Sequence, residues 1–203
     1  MTETRQIDRP TAPRLSEILP ALPESLREPY TLAQMMASSG YFPDVKSVSQ
    51  AFTRLVFGKA LGLSPLEAMT GIYFVKGRLA LSASLMASLV RRSGRYDYRI
   101  VELTEERCVI RFFSVRDGER EALGESVFTL EDAKRAGLSE GENWRRYPRN
   151  MLFARALSNG VRWFCPDVLG GPVMEATEAA EAMEADVVEL PPEIPDEREE
   201  ETP

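Results

Sequence analysis

The chain has 203 residues, which suffices for one domain with a hydrophobic core, and it contains no histidine. The lack of histidine excludes Ser-His-Asp and Cys-His catalysis as well as histidine-based zinc sites. Its two cysteines show no metal-ligand spacing, and neither a P-loop motif nor an apolar stretch of transmembrane length is present. We therefore expect a cytoplasmic protein that uses none of these catalytic systems.

Charge and proline are distributed unevenly along the chain. Residues 173–203 carry 12 acids and one arginine, a net charge of −11, which leaves +4 for residues 1–172 of a chain whose total is −7. Ten of the 14 prolines lie outside residues 31–171, whereas all 13 glycines lie inside this range. We predict a mobile N-terminal arm (1–30), one globular domain (31–171) and a disordered acidic tail (172–203). The mildly basic body is compatible with a nucleic-acid partner.

Helices and a hairpin are predicted in the first half of this domain. Helical spacing of apolar residues and local breakers predict four helices, over residues 31–40, 45–61, 65–70 and 84–92. Thr31 is the predicted N-cap of the first helix, and Gly40 follows its end. Two apolar runs separated by Lys76-Gly77 predict a β-hairpin over residues 72–81.

Strands dominate the first part of the second half. Three runs with strand character, joined by short charged turns, predict an antiparallel meander: Tyr96–Glu102, Cys108–Ser114 and Gly124–Phe128. Thr129 and Asp132 resemble a capping box that opens a short helix closed by Gly137, and a longer helix starts at Pro148. This order predicts an α+β fold in which a small antiparallel sheet, made of a hairpin plus a three-strand meander, is packed by helices.

The most informative segment is residues 143–166, which contains five arginines and no acid. The planar guanidinium group suits phosphate, so an acid-free arginine cluster on an acidic chain is a candidate anion site. We call the predicted helix that starts at Pro148 the arginine helix. Its helical wheel has one apolar arc and one opposite polar arc, which consists of Arg155, Ser158, Asn159 and Arg162. A solvated basic face on an ordinary surface helix explains the same composition.

A recognisable pattern of residues runs through this segment: a tryptophan, a proline–basic pair, a Met-Leu pair, and then spaced basic and amide residues. The positions are Trp144, Pro148, Arg149, Met151, Leu152, Arg155, Ala156, Asn159 and Arg162. The pattern resembles the signature helix of the phage single-strand annealing proteins, the family typified by RecT and the Beta protein of phage lambda. The likeness extends in order and character over about residues 45–171, but only the arginine helix is specific enough to support it alone.

The resemblance implies a function and a set of partners. It implies ATP-independent binding and annealing of single-stranded DNA in phage homologous recombination, on a RecT/Beta-like annealing core inside a bacterial host cell. The partners implied are single-stranded DNA, nascent duplex and further copies of the chain in a ring or helical filament, with a phage exonuclease or a host single-strand-binding protein as additional partners. The resemblance also implies that the chain is not an enzyme, that it requires no cofactor, that no membrane is involved and that Mg²⁺ enters only through the DNA. DNA-backbone contacts are implied for Arg149, Arg155, Asn159 and Arg162.

Six further residues are candidate DNA contacts, each with an ordinary structural explanation beside the functional one: Trp144, Arg145, Arg146, Lys76, Arg78 and Arg91. The first three form an aromatic–basic cluster that suits base stacking, although a tryptophan at this place also anchors a loop to a core. The next two flank the hairpin turn, where exposed charge is common and where a tip can also lie along a DNA backbone. Arg91 ends a helix, a position that the helix dipole favours for any cation.

Three other functions remain open on the sequence. A single-strand-binding accessory protein would protect DNA without annealing it, and an adaptor protein would use the basic helix only as a solvated surface. A metal-dependent nuclease needs converging carboxylates, and Glu125, Asp132 and Asp167 have no pairing that the sequence reveals. The acidic tail suits either a DNA mimic that competes for the arginine helix or a contact to a replication partner.

Overall fold

The computed structural model describes residues 23–75, 77–171 and 173–175. The chain forms two compact units, Met1–Phe74 and Val75–Pro203, which we call the N-terminal unit and the C-terminal unit. The predicted single domain, 31–171, spans the junction between them. The fold is α+β, with antiparallel strands packed by helices, as the sequence predicts. In the described part of the chain, no helix combines the length and apolar character needed to cross a bilayer.

The described part of the N-terminal unit contains three helices: α1 (Glu24–Ser38), α2 (Val48–Ala60) and α3 (Pro65–Gly71). The prediction for α1 is wrong at its start, because the helix begins well before Thr31 and includes residues assigned to the mobile arm. Pro29 lies inside the helix, and the hydroxyl of Thr31 donates to the carbonyl of Arg27 (3.0 Å) instead of capping. Gly40 follows the end of the helix in the left-handed conformation (φ 73°), as predicted.

The N-terminal unit contains a buried arginine. Arg54, on α2, is 1% exposed and donates from Nη2 to the Oδ2 of Asp44 (2.6 Å) and from Nη1 to the carbonyl of Met69 (3.0 Å). Its guanidinium also lies 5.6 Å from the ring centre of Tyr73. The arginine therefore ties the loop before α2 and the end of α3 to one helix.

The hairpin strands β1 (Ile72–Val75) and β2 (Arg78–Leu81) are confirmed, and α4 (Ala83–Arg92) follows with Ser82 as its N-cap. The predicted turn residue Lys76 lies outside the described residues. A short strand that the sequence did not predict, β6 (Met174–Glu175), pairs in parallel with β2, so that the sheet order is β1-β2-β6. The acidic tail therefore does not begin at residue 172, because Val173 is buried and Glu175 is only 2% exposed.

The meander is confirmed as an antiparallel sheet in the order β3-β4-β5: β3 (Tyr96–Leu103), β4 (Arg107–Arg116) and β5 (Glu119–Thr129). Positive φ angles at Asp117 (53°) and Gly118 (83°) form the tight turn between β4 and β5. Register shifts interrupt both ladders, between Ile100 and Glu102 in β3 and between Phe112 and Phe113 in β4.

Helices and a 3₁₀ turn complete the C-terminal unit: α5 (Leu130–Arg135), α6 (Glu142–Arg146), α7 (Pro148–Phe164) and the 3₁₀ helix Pro166–Leu169. The capping box at the start of α5 is confirmed, since Thr129 accepts from the backbone of Asp132 (3.1 Å) and the Asp132 carboxylate accepts from Thr129. These hydrogen bonds to Thr129 lower the pKa of Asp132.

The arginine helix, α7, packs closely on the meander. The ring of Phe164 lies 5.5 Å from that of Phe112, and a methyl group at Gly160 would collide with the Phe112 ring. Gly124 (φ 156°) leaves room for Phe164, since a Cβ there would lie 2.7 Å from its Cζ. Small residues at these two positions therefore bring the helix and the sheet together, and α7 is the central helix of its unit.

Candidate nucleic-acid interface

The junction before α7 is anchored by a buried aromatic residue. Trp144 is 3% exposed, and its ring centre lies 6.3 Å from that of Phe128 at the end of β5. Of the two roles considered for Trp144, the structure shows the anchoring role, and the indole presents no open face for a base to stack on. The buried ring holds the short helix α6 against the end of β5.

Three arginines at this junction are exposed. The guanidinium of Arg146 lies 3.2 Å from the carboxylate of Glu142, and that of Arg149 lies 3.9 Å from Glu105. Arg145 is exposed on the same short helix. Exposed ion pairs of this kind contribute little to stability, so their arginines can exchange a carboxylate for a phosphate at small cost.

The polar arc of α7 is more buried than its sequence predicts. Ser158, expected on the outer arc, is 0% exposed, and its hydroxyl donates to the carbonyl of Arg155 (3.2 Å). The side chains of Arg155, Asn159 and Arg162 are half-buried. The arc is buried because α7 is the central helix of its unit. Apolar side chains on both sides of the arc, among them Met151 and Leu152, are also buried.

Hydrogen bonds hold this polar arc in place. The Nη2 of Arg162 donates to the Oδ1 of Asn159 (2.9 Å) and lies 3.5 Å from the Oγ of Ser158. We call Arg155, Asn159 and Arg162 the polar row. An arginine that is already held by its neighbours loses less side-chain entropy when it binds an anion than a freely moving one does.

One exposed residue next to the polar row was missed by the sequence analysis. Trp163 is 59% exposed, although almost every other residue in the middle and at the end of α7 is buried or half-buried. It follows Arg162 directly and lies one helical turn after Asn159. The sequence contained a signal for this exposure, since the helical wheel places Trp163 at the edge of the polar arc, beside Asn159.

A second basic surface lies at the end of α4, away from the polar row in sequence. Arg91 stacks on Tyr98 (4.7 Å to the ring centre), and its Nε lies 3.9 Å from Asp97. Arg120 donates to the same carboxylate (2.8 Å), and Arg91, Asp97 and Arg120 line an open cleft of about 380 Å³. Arg78 is exposed on β2, and Lys76 lies outside the described residues. The structure therefore gives Arg91 an aspartate and a tyrosine as structural partners.

Charge is divided unevenly along the C-terminal unit, whose first part is basic and whose last part is strongly acidic. Residues 75–175 contain 17 lysines and arginines against 14 acids, a net charge of +3, while residues 176–203 carry a net of −10. Both cysteines are buried and free, and burial raises the pKa of Cys108 to about 11 and that of Cys165 to about 12. Over the described ranges, no three Cys, Asp or Glu side chains converge in a group that would hold a metal ion.

Comparisons with protein-family models, with curated proteins and with solved structures found no match to this chain. The functional argument therefore rests on the residues of the C-terminal unit and on their geometry.

Proposed function

We propose that the chain is an ATP-independent single-stranded DNA-binding and annealing protein of the RecT/lambda Beta type, which acts in phage homologous recombination. The observation that supports the proposal most is the polar row: two half-buried arginines and an amide on one helix, with Arg162 held by Asn159 at 2.9 Å. A guanidinium group that is held in one orientation suits the repeated phosphates of a DNA strand, because its planar donors match the phosphate oxygens.

The mechanism that we propose is electrostatic and geometric. The polar row and the exposed arginines at the start of α7 bind the phosphates of one strand, and counterion release supplies the affinity. Contacts to the backbone leave the base edges free, so that base pairing with a second strand supplies the sequence specificity. No nucleotide hydrolysis is needed, because duplex formation is itself downhill.

The meander supports the proposal that copies of the chain assemble. Among the described residues, β3 and β5 each pair with β4 alone, so both edges of the sheet are open. Exposed apolar side chains lie on both edge strands: Ile100, Val101 and Leu103 on β3, and Leu123 and Val127 on β5. Contact between different edges of successive copies is a head-to-tail arrangement, which produces a ring or a helical filament.

An annealing assay tests the proposal directly. Two complementary oligonucleotides, one carrying a fluorophore and the other a quencher, are mixed with and without the full chain and without ATP. We expect the protein to speed pairing about tenfold or more, because a charged surface raises the local strand concentration.

The same assay separates the alternatives. Binding of single strands without faster pairing would indicate an accessory protein, and loss of labelled DNA with Mg²⁺ would indicate a nuclease. No DNA binding even at low salt would indicate an adaptor. A non-complementary pair of oligonucleotides controls for aggregation of the labelled strands.

Two truncations should separate the role of the acidic tail from that of β6. A chain that ends at Glu175 loses the segment with a net charge of −10 but keeps β6. We expect its thermal stability to stay unchanged and its DNA binding to tighten at low salt, because a tethered acidic segment competes with DNA at an effective concentration on the order of millimolar.

A chain that ends at Gly171 should behave differently. It also loses β6 and the buried Val173, so we expect its free energy of unfolding to fall by about 1–2 kcal/mol. Titration of a labelled oligonucleotide at two salt concentrations and a thermal melt measure both effects. Weaker DNA binding by the chain that ends at Glu175 would show that the tail helps binding, and would contradict the prediction that the tail competes with DNA.

A further inference from the structure

The exposed indole of Trp163 has no packing explanation within the described part of the chain. Tryptophan is usually well buried, and Trp144, the other tryptophan, is 3% exposed whereas Trp163 is 59% exposed. The helix that carries Trp163 is the central helix of its unit, and of the two residues that follow it, Phe164 is half-buried and Cys165 is buried. An exposed large aromatic side chain on such a rigid element is typical of a contact surface.

The ring of Phe164 packs against the ring of Trp163. Its centre lies 6.3 Å from that of Phe164, and the two ring planes are nearly perpendicular (86°). In an edge-to-face contact, Phe164 covers at most one face of the indole, whichever ring supplies the edge. Phe164 in turn packs against Phe112 of the sheet, at 5.5 Å. The indole therefore has a firm support and at least one face that Phe164 leaves uncovered.

The residues next to this indole are a cation and an amide. Arg162 precedes Trp163 directly, and Asn159 lies one turn before it, about 6 Å along the helix axis. A cationic group beside an open aromatic face matches the two parts of one nucleotide, the phosphate and the base. In non-specific single-strand binding sites, basic residues follow the backbone while aromatic rings stack on the bases.

We propose that Trp163 is a base-stacking residue of the polar row, on which one nucleobase of a bound single strand lies while Arg162 and Asn159 contact an adjoining phosphate. The inference rests on the proposed function and adds a second recognised group, the base, to a site assigned to the backbone. Stacking uses the π-face of the base and leaves its Watson–Crick edge open, so it is compatible with annealing. Every base has a π-face, so this contact carries little sequence preference.

Abasic DNA distinguishes stacking from phosphate binding. Kd is measured for the full chain with an oligothymidylate and with an abasic oligonucleotide of equal length and charge. We expect the unmodified chain to bind the oligothymidylate about tenfold more tightly than the abasic strand. The oligothymidylate should quench the tryptophan fluorescence, and the abasic strand should quench it much less.

Three variants make the assignment specific to this residue. Trp163→Ala should lose most of the preference for oligothymidylate and leave the affinity for abasic DNA unchanged, whereas Trp163→Phe should keep part of the preference. Tyr41→Ala, which removes another exposed aromatic ring, should change neither affinity. The quenching experiment on the unmodified chain keeps the inference testable if the alanine variant is poorly folded.

Two results would overturn the inference, and they differ. If the unmodified chain binds both strands equally and its fluorescence does not change, the phosphate site stands and the stacking role is wrong. If it binds neither strand at low salt, the proposed function fails and the stacking role fails with it.

Discussion

Replacing Arg155 and Arg162 together by alanine should weaken single-stranded DNA binding by about tenfold and should flatten its salt dependence. Each phosphate contact on a single strand contributes about 0.7 to the slope of log K against log salt, so two contacts account for about 1.4. The measurement is a titration of a labelled oligonucleotide at four or more salt concentrations.

Because Arg155 and Arg162 are half-buried, the experiment needs controls for protein stability and for loss of charge. Because Arg162 is bonded to Asn159, we expect the double variant to lose about 1 kcal/mol in its free energy of unfolding as well. The pair Arg116→Ala and Lys134→Ala removes the same charge from exposed positions of the same unit and should leave most of the slope intact. An unchanged slope in a folded Arg155/Arg162 double variant would show that the polar row does not bind phosphate.

Asp44→Asn should clearly destabilise the N-terminal unit. It removes the only carboxylate paired with Arg54 in the described structure and leaves a guanidinium that is 1% exposed without its counter-charge. Asp44 itself is 43% exposed, so solvent moderates the effect, and we expect a loss of about 2–3 kcal/mol. Chemical denaturation of the full chain, followed by circular dichroism, measures it.

A double-variant cycle separates the ion pair from the packing around it. Asp44→Asn combined with Arg54→Met removes both charges, so it should be less destabilised than Asp44→Asn alone. Glu28→Gln removes a charge from an exposed position of the same unit and should change stability by less than about 0.5 kcal/mol. If the single and the double variant lose the same stability, the buried charge is not what Asp44 stabilises.

The elements with a local chemical signal were predictable from the sequence. The meander, the capping box of Thr129 and Asp132, and the start of α7 at Pro148 are all confirmed. In each case, neighbouring residues supply the deciding interaction: a tight turn, a reciprocal hydrogen bond or a proline in the first turn of a helix. The prediction that Arg149, Arg155 and Arg162 lie on one helix rests on the same local signal at Pro148.

The features that the sequence did not reveal depend on distant contacts. Helix α1 runs through Pro29, which the sequence marks as a breaker, and β6 exists only through its pairing with β2. Ser158 is polar and is therefore expected on the surface, but the close packing at Gly160 makes α7 a central helix and buries Ser158. The exposure of Trp163 was missed for a different reason: an indole is usually buried, although the helical wheel places this one at the edge of the polar arc.

Burial of the two thiols should make them unreactive in the native protein. With pKa values of about 11 and 12 and no exposed surface, Cys108 and Cys165 hold almost no thiolate at neutral pH, about one molecule in ten thousand or fewer. Oxidants and alkylating reagents should therefore reach them only when the C-terminal unit opens. Air oxidation should not link copies of the native protein by disulfides. The rate of thiol alkylation should therefore measure how often that unit opens.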